Sequence, residues 1–561
     1  MLRARKPINS SKEEIIEEKP TIRENFQHYL MNASLHGLKY MGDTTMSLFE
    51  RCFFVVSFVV VFVLSGYFIS NVWQKWSETP IIISINPIGI PLTTIPFPAV
   101  TICNMNQARI SAARIALKGS LEDSMLDSLC GSSKEFKSNN NSTGRWSQLK
   151  RFLMNASQPC SETLIFCRFA SKTVPCMDIF WSSLTDDGLC CTFNTVHPDF
   201  MFHTTINDNM WELEGSNANY SKGVPIDWTP ETGYPKEMPE NAFPRQAAGT
   251  GHDMGLTVGL NCDVSNYYCS STNSYGFKIL LHAPTETPKV KNFGFFVAPG
   301  TEVRVVVNPR INTASEMIRR VPIEQRQCVF ANERNLSYFR TYTQENCEME
   351  CESLIVSKQC GCILYYMPKT TADAEICSLK DAKCYEMILA SLVFNNSSHS
   401  CSCLPACYEI DYERRSSTSP LGVGKFLLRE NFLKKDNIAV VHLYFVENTI
   451  HSYTKGELIG FTDFLSSTGG LLGLFMGFSV VSLVEMFYYI SMRPHCSKRI
   501  QQNPNATQKV TPTFVAWKPD SLSVKRNLRN RQAGIVFAPI FYTFSDYNAS
   551  KITLVKSKQH L

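Results

Sequence analysis

Residues 464–490 read FLSSTGGLLGLFMGFSVVSLVEMFYYI, and the fold turns on them. The run is apolar and long enough to cross a bilayer, which takes about 20 residues. Yet it carries small residues at Ser466, Ser467, Gly469, Gly470, Gly473, Gly477, Ser479 and Ser482, and a carboxylate at Glu485. A plain anchor needs none of these. A helix that packs closely against copies of itself, or that lines a wet path, needs them. Gly469, Gly473 and Gly477 make a small-xxx-small face. From spacing alone, close packing without conduction and a pore wall fit that face equally well.

A second run supplies the other half of the topology. Residues 52–72, CFFVVSFVVVFVLSGYFISNV, carry no formal charge, and Trp73 and Trp76 follow as an interfacial aromatic belt would. No other window is long and apolar enough. Residues 1–51 are polar and mixed in charge, unlike a cleaved secretory signal. The first run therefore reads as an uncleaved span with the N-terminus in the cytosol, and a second span returns the C-terminus there. After Met492, twelve lysines and arginines face only Asp520 and Asp546, the positive-inside pattern. The overall charge of +5 is mostly this tail, which reads as orientation and lipid contact rather than nucleic-acid binding. The expected division is a cytosolic arm at 1–51, a span at 52–76, an ectodomain at 77–460, a second span at 461–492 and a basic cytosolic tail at 493–561.

Cysteine usage fixes the compartment. Nineteen of the 21 cysteines lie between Cys103 and Cys407, and only Cys52 and Cys496 fall outside. Dense cysteine in an exoplasmic region reads as disulfides, and an odd count leaves one thiol unpaired or intermolecular. The same region carries glycosylation acceptors at Asn140, Asn141, Asn155, Asn219, Asn335, Asn395 and Asn396. Similar triplets at Asn32, Asn505 and Asn548 fall on the cytosolic side, where they go unused.

Both ends of the ectodomain read as strands. Residues 79–101 are rich in Ile, Val, Thr and Pro, and residues 438–446 (IAVVHLYFV) are β-branched and aromatic. A central sheet joined directly to both spans would carry ectodomain movement into the bilayer. Between these ends, residues 110–185 mix helical stretches with a polar loop, 256–310 read as strands and turns, and 329–400 as cysteine-punctuated helix. There is no internal repeat.

Within 328–407, Cys347 and Cys351 are four apart and share a helical face. Cys401 and Cys403 are two apart and share one face of an extended segment. Two parallel rungs can therefore join helix to strand. Cys360 and Cys362 make a turn-borne pair, with Cys377 and Cys384 downstream. A zinc site is the rival reading, disfavoured by the exoplasmic setting and the lack of interleaved histidines; no metal is expected. HExxH, GxSxG and Walker A patterns are absent, and GTGHDMG at 249–255 lacks a Rossmann setting and reads as a loop. No enzyme activity and no cofactor are expected.

Several segments together resemble the degenerin/epithelial sodium channel superfamily. SLHG (34–37) is similar to its cytosolic His-Gly gating motif, FPAVTICN (97–104) to the start of its ectodomain, and GLCCTFN (188–194) to its next cysteine landmark. The cysteines from 328 to 407 match its thumb framework, and GLFMGFSVVSLVEMFYY its pore helix. APGTEVRVVVNP, EQRQC and CSCLPACYEIDY resemble the insect pickpocket branch in particular.

The resemblance implies an α+β membrane protein, a trimer of subunits each shaped as finger, thumb, palm, knuckle and β-ball around two spans. It implies the pairs Cys328–Cys407, Cys347–Cys403, Cys351–Cys401, Cys360–Cys384 and Cys362–Cys377, with Cys167–Cys176 near the finger and Cys103 paired to Cys190 or Cys191. Leftover proximity adds Cys130–Cys160 and Cys262–Cys269 as expectations. Gly477-Phe478-Ser479 occupies the family's Gly/Ser-x-Ser selectivity tripeptide, where the helix opens and freed carbonyls and a hydroxyl face cations. Phe478 is bulkier than the small residue common there, a departure that bears on the strength of sodium selectivity. Ser466 and Ser467 fall at the degeneration-prone gating site, although ordinary packing of small residues also fits them. Asp463 adds negative potential at the mouth. Glu485 forms an inner ring of carboxylates or pairs with a tail arginine. His36, beside Gly37, whose lack of a side chain permits a tight turn, reads as gating rather than proton sensing.

The expected function is a subunit of a trimeric, ligand- or stimulus-gated, sodium-preferring, amiloride-sensitive channel of the plasma membrane. Its partners are two further subunits (identical or sister), sodium ions, membrane lipid and an extracellular ligand, without nucleic acid. An ATP-gated trimer shares the topology but lacks these motifs. A two-span non-conducting receptor leaves the glycine ladder unexplained.

Overall fold

The computed structural model describes residues 22–78, 80–116, 118, 120–130, 146–203, 223–239, 241–369, 375–377, 381–394, 401–422 and 435–493. The sequons at Asn140, Asn141, Asn219, Asn395, Asn396, Asn505 and Asn548 lie outside them, as does the basic tail beyond Arg493. Asn155 and Asn335 are exposed.

Two short helices, α1 (Ile22–Asn32) and α2 (Leu38–Gly42), lead into α3 (Leu48–Glu78). At 1.5 Å per residue α3 runs about 46 Å, more than the ~30 Å hydrocarbon core. Among the described residues it is the one unbroken helix long and apolar enough to cross a membrane, and only 6% of its most apolar window is buried. Outward-facing Val and Phe side chains over such a length suit lipid, not water.

Two sheets fill the region that follows. Eight strands form the larger one, in the order Ile81–Ile85, Tyr453–Glu457, Thr301–Ala314, Ile438–Phe445, Leu256–Asn261, Leu164–Phe169 and Lys172–Val174, with Glu409–Pro420 also paired to Thr301–Ala314. The β-branched runs VRVVVN and IAVVHLYF fit its buried centre. The smaller sheet orders Phe295–Val297, Phe277–His282, Ala99–Asn104, Gly188–Phe193 and Phe180–Thr185. Phe97 is fully buried, and its ring meets Phe169, Phe193 and Phe445 at 5.4, 5.9 and 5.3 Å. Rings from both sheets thus share one core, each burying a large apolar area. A Lys278–Asp187 ion pair at 2.6 Å is almost wholly buried in the smaller sheet, where loss of either partner would strand the other's charge.

The strand that precedes the second apolar segment is Tyr453–Glu457, not residues 438–446. YTKGE has no run of β-branched or aromatic residues to announce it. Its partner does the work: IIISI pairs with it antiparallel from Ile81↔Glu457 to Ile85↔Tyr453. The strand expected within 79–101 is thus present as Ile81–Ile85, and Tyr453–Glu457, rather than 438–446, is its counterpart at the second apolar segment.

Thr343 caps α4 (Gln344–Cys360) by accepting the Asn346 N–H, and Gly361 ends it at φ +72°. One face of α4 presents Cys347 and Cys351 to Cys403 and Cys401. Cys360 ties its end to Cys384 on α5 (Ala382–Phe394), Cys362 joins Cys377, and Cys328 joins Cys407. Cys167 bonds Cys176. Nine disulfides are present among the described residues.

Two expected pairs are corrected. Cys130 bonds Cys269 and Cys160 bonds Cys191, while Cys262 is free and buried. The reason lies in strand alternation: neighbouring residues of a strand point to opposite faces. Cys190 stands opposite Cys103 in register and bonds it, so Cys191 faces the other way, towards Cys160. Cys130 is then left for Cys269. The odd thiol of the region is therefore Cys262. Burial pushes it up to about 11, and its sulfur lies 3.1 Å from the Tyr267 hydroxyl.

The second apolar segment is not one helix. α6 (Phe461–Met476) ends at Gly477, and α7 (Val480–Phe487) resumes after a 72° bend. Phe487 begins a separate unit, in which residues 488–492 form a π-helical turn.

Candidate functional site

The site grows from the pairing of α3 and α6. Leu458 N–H donates to Pro80 O at 2.8 Å, extending the Ile81–Ile85/Tyr453–Glu457 ladder to the helix ends. There Trp76 stacks on Phe464 at 4.9 Å and Trp73 meets the same ring at 5.7 Å. Further along, Phe68 stacks on Phe475 at 5.7 Å. Aromatic pairs of this kind add about 0.5–1.5 kcal/mol beyond burial, so the two helices are clamped along their length.

Asp463 sits in the first turn of α6, and its carboxylate accepts the Gly460 N–H at 3.3 Å. That position favours an anion through the helix dipole, which gives Asp463 a capping role. Ser466, Ser467, Gly469 and Gly470 are exposed. A Cβ on Gly469 or Gly470 would meet nothing within 4 Å, and one on Gly473 would lie 3.7 Å from Phe478 O.

At the break, Gly477 takes φ +65°, and its N–H donates to Gly473 O at 2.9 Å. Only glycine adopts this conformation cheaply. Ser479 caps α7: its Oγ accepts the Ser482 N–H at 3.3 Å, while Ser482 Oγ accepts the Ser479 N–H at 3.2 Å. This is a serine version of the reciprocal capping box. Among the described residues no hydrogen bond reaches the carbonyls of Gly477 or Phe478. Phe478 is half-buried and Ser479 exposed.

The N-terminal arm closes on this break. Gly37 takes φ +87° between residues 34–36 and α2. His36 N–H donates to Met476 O at 3.0 Å, occupying a carbonyl that the helix end leaves orphaned. A Cβ on Gly477 would lie 2.6 Å from His36 Nδ1, so the imidazole rests directly on the glycine. Ser34 N–H donates to the Glu485 carboxylate at 3.1 Å, and Ser34 Oγ lies 2.7 Å from Ser482 Oγ. The structure thus brings together His36, Gly37, Gly477, Ser479 and Glu485, and keeps Asp463, Ser466 and Ser467 at the other end of α6. Sequence reasoning gave no role to Ser34 or Ser482. The Ser-x-x-Ser spacing at 479–482 was the available signal for one, and SLHG contained the other.

A second electrostatic feature lies in the disulfide-rich region. Glu286, Glu345, Glu409 and Asp411 converge: Glu286 is buried, Glu345 and Glu409 are half-buried and Asp411 is exposed. Burial, then the Glu345, Asp411 and Glu409 carboxylates, holds Glu286 well above the usual range. Burial and Asp411 push Glu409 up to about 7. Burial raises Glu345 as well. Among the described residues no His/Cys/Asp/Glu group has the arrangement of a metal site.

Residues 29–489 match the family described as amiloride-sensitive sodium channel. The chain belongs to that family. It is a family of ion channels, not of enzymes. Among curated proteins, Pickpocket protein 28 of Drosophila melanogaster is 38% identical over 95% of this chain and 89% of its own length. The pickpocket resemblance of the sequence is borne out. Sodium channel protein Nach of the same fly is 25% identical over 84% of this chain and 88% of its own. Acid-sensing ion channel 1C of Danio rerio is 23% identical over 83% of each. The disulfide-rich, mixed α/β ectodomain described above is this family's, and its members are multimeric channels of the plasma membrane.

Proposed function

We propose that the chain is one of three subunits, identical or sister, of a stimulus-gated, sodium-preferring, amiloride-blocked channel with both termini in the cytosol. α3 is the first span, and α6 with α7 the second, broken one. The observation that carries the reading is the break at Gly477-Phe478-Ser479. Irregular backbone at membrane depth is tolerated only where protein buries it or water reaches it, and here two carbonyls accept no hydrogen bond among the described residues. Three copies around an axis would bring six such carbonyls and three Ser479 hydroxyls towards the ion path, replacing part of a cation's hydration shell. Glu485 from each copy adds negative potential on the arm's side, and Gly469, Gly470 and Gly473 let the α6 helices approach. Movement of the Ile81–Ile85/Tyr453–Glu457 ladder pulls on both spans together. The finger, thumb, palm, knuckle and β-ball divisions belong to the same reading, as does glycosylation at Asn155 and Asn335.

Whole-cell recording from cells expressing the full chain tests it. Inward current should vanish when external sodium is replaced by N-methyl-D-glucamine, and amiloride should block it. A surface-expressed chain with no sodium-dependent current under any stimulus would return the reading to a non-conducting receptor.

A further inference from the structure

Three hydroxyls run in line from the arm to the break. Ser34 Oγ lies 2.7 Å from Ser482 Oγ, which lies 3.2 Å from Ser479 Oγ. Ser482 is buried, so its hydroxyl has few partners beyond these. Each hydroxyl owns one hydrogen and two lone pairs. Two of those lone pairs are already committed, because Ser482 Oγ accepts the Ser479 N–H and Ser479 Oγ accepts the Ser482 N–H. What remains is a choice of direction. If the chain donates from Ser479 to Ser482 to Ser34, Ser479 keeps one lone pair open. If it donates the other way, the Ser482 O–H fills that lone pair, and Ser479 turns its own hydrogen outward, a dipole that repels a cation.

The end of the chain decides. Ser34 is the residue whose N–H donates to the Glu485 carboxylate at 3.1 Å, so negative charge sits at the Ser34 end. A carboxylate attracts the positive end of each hydroxyl dipole, favouring the first direction. We infer that Ser34 is a positioning residue for cation selection: its hydroxyl takes the proton of Ser482, and through it keeps a lone pair of Ser479 open to the permeating ion. The inference rests on reading residues 477–479 as the filter. The cytosolic arm is then a support that also sets the polarity of a pore hydroxyl. Removing the Ser34 hydroxyl takes away the acceptor on the arm's side, so the Ser482 proton turns to Ser479, 3.2 Å away, and closes the open lone pair.

The test is the sodium-to-potassium permeability ratio, read from reversal potentials of the full chain in cells, with surface amount measured alongside. Ser34→Ala should lower the ratio roughly fivefold, what one ordinary hydrogen bond commands, and Ser34→Thr, which keeps the hydroxyl, should restore it. A role confined to seating the arm would change current amplitude and leave the ratio alone. Ser479→Ala separates the layers. If it leaves the ratio unchanged, the filter reading has failed. If it shifts the ratio while Ser34→Ala does not, the hydroxyl chain is overturned. Should Ser34→Ala reach the surface without current, the thermal stabilisation of the detergent-solubilised chain on exchanging N-methyl-D-glucamine for sodium is read instead. That stabilisation should be smaller in Ser34→Ala than in wild type and Ser34→Thr, and equal values in all three overturn the inference.

Discussion

Replacing Gly477 by alanine tests the junction of arm and broken helix at one atom. The new Cβ would lie 2.6 Å from His36 Nδ1, 2.7 Å from Cε1 and 2.8 Å from Cγ, so the whole imidazole must retreat. Overpacking of this kind costs about 1–3 kcal/mol. The backbone adds its own penalty, since φ +65° costs a residue with a Cβ about 1–2 kcal/mol. Together they weaken the seated arm by roughly 2–5 kcal/mol, and 2 kcal/mol alone shifts an equilibrium about thirtyfold. Current per surface channel should therefore fall at least roughly tenfold. A double-mutant cycle separates the two costs. In a His36→Ala background the clash is gone, so Gly477→Ala should cost only the backbone part. Gly66→Ala in α3, where an added Cβ meets nothing within 4 Å, is the control and should be near neutral. Normal current from Gly477→Ala at normal surface amounts, or an equal loss with and without the imidazole, would mean that His36 does not seat the arm on Gly477.

Three further outcomes are expected. Ser466→Trp should give constitutive sodium current, because a bulky side chain on the exposed α6 face wedges neighbouring copies apart; a silent, surface-expressed variant contradicts the assignment. The rungs Cys347–Cys403 and Cys351–Cys401 close nearly the same loop, of 56 and 50 residues. Loss of one rung should barely lower the melting temperature of the purified chain, whereas loss of both should cost about 4 kcal/mol in the chain-entropy account. Glu409 is raised from 4.5 to about 7, so the folded state holds its proton where the unfolded chain releases it. Stability from this group is fully present below about pH 4.5 and is lost as pH rises through about 7, worth up to roughly 3 kcal/mol. Melting temperature should accordingly rise from pH 8 to pH 5.5, and Glu409→Gln should flatten the slope.

The sequence made the two apolar segments and the helix-borne cysteines legible because each has a strong local signature: apolar length in one case, i,i+4 spacing in the other. It did not make Tyr453–Glu457 legible, since that strand is specified by its partner IIISI rather than by its own residues. Leftover proximity mispaired Cys130, Cys160, Cys262 and Cys269 because adjacent Cys190 and Cys191 serve opposite faces of one strand, a fact of tertiary register. The carboxylates around Glu286 carry no local signal, and only the fold brings Glu345, Glu409 and Asp411 to its buried side chain. Glu485 was read as a ring or an arginine partner. The bond it accepts from the Ser34 backbone joins residues 451 apart, and no local pattern announces such a contact.

The proposed ion path runs through the break at residues 477–479. Cysteine placed at Ser479 tests it directly, with a positively charged methanethiosulfonate applied while sodium current flows. With Cys52, which is exposed, and Cys496 replaced by serine throughout, irreversible block is expected of Ser479→Cys current and no block of the background, whose remaining free thiol, Cys262, is buried. Current through Ser479→Cys that survives the reagent, with the thiol shown to be labelled, would contradict it.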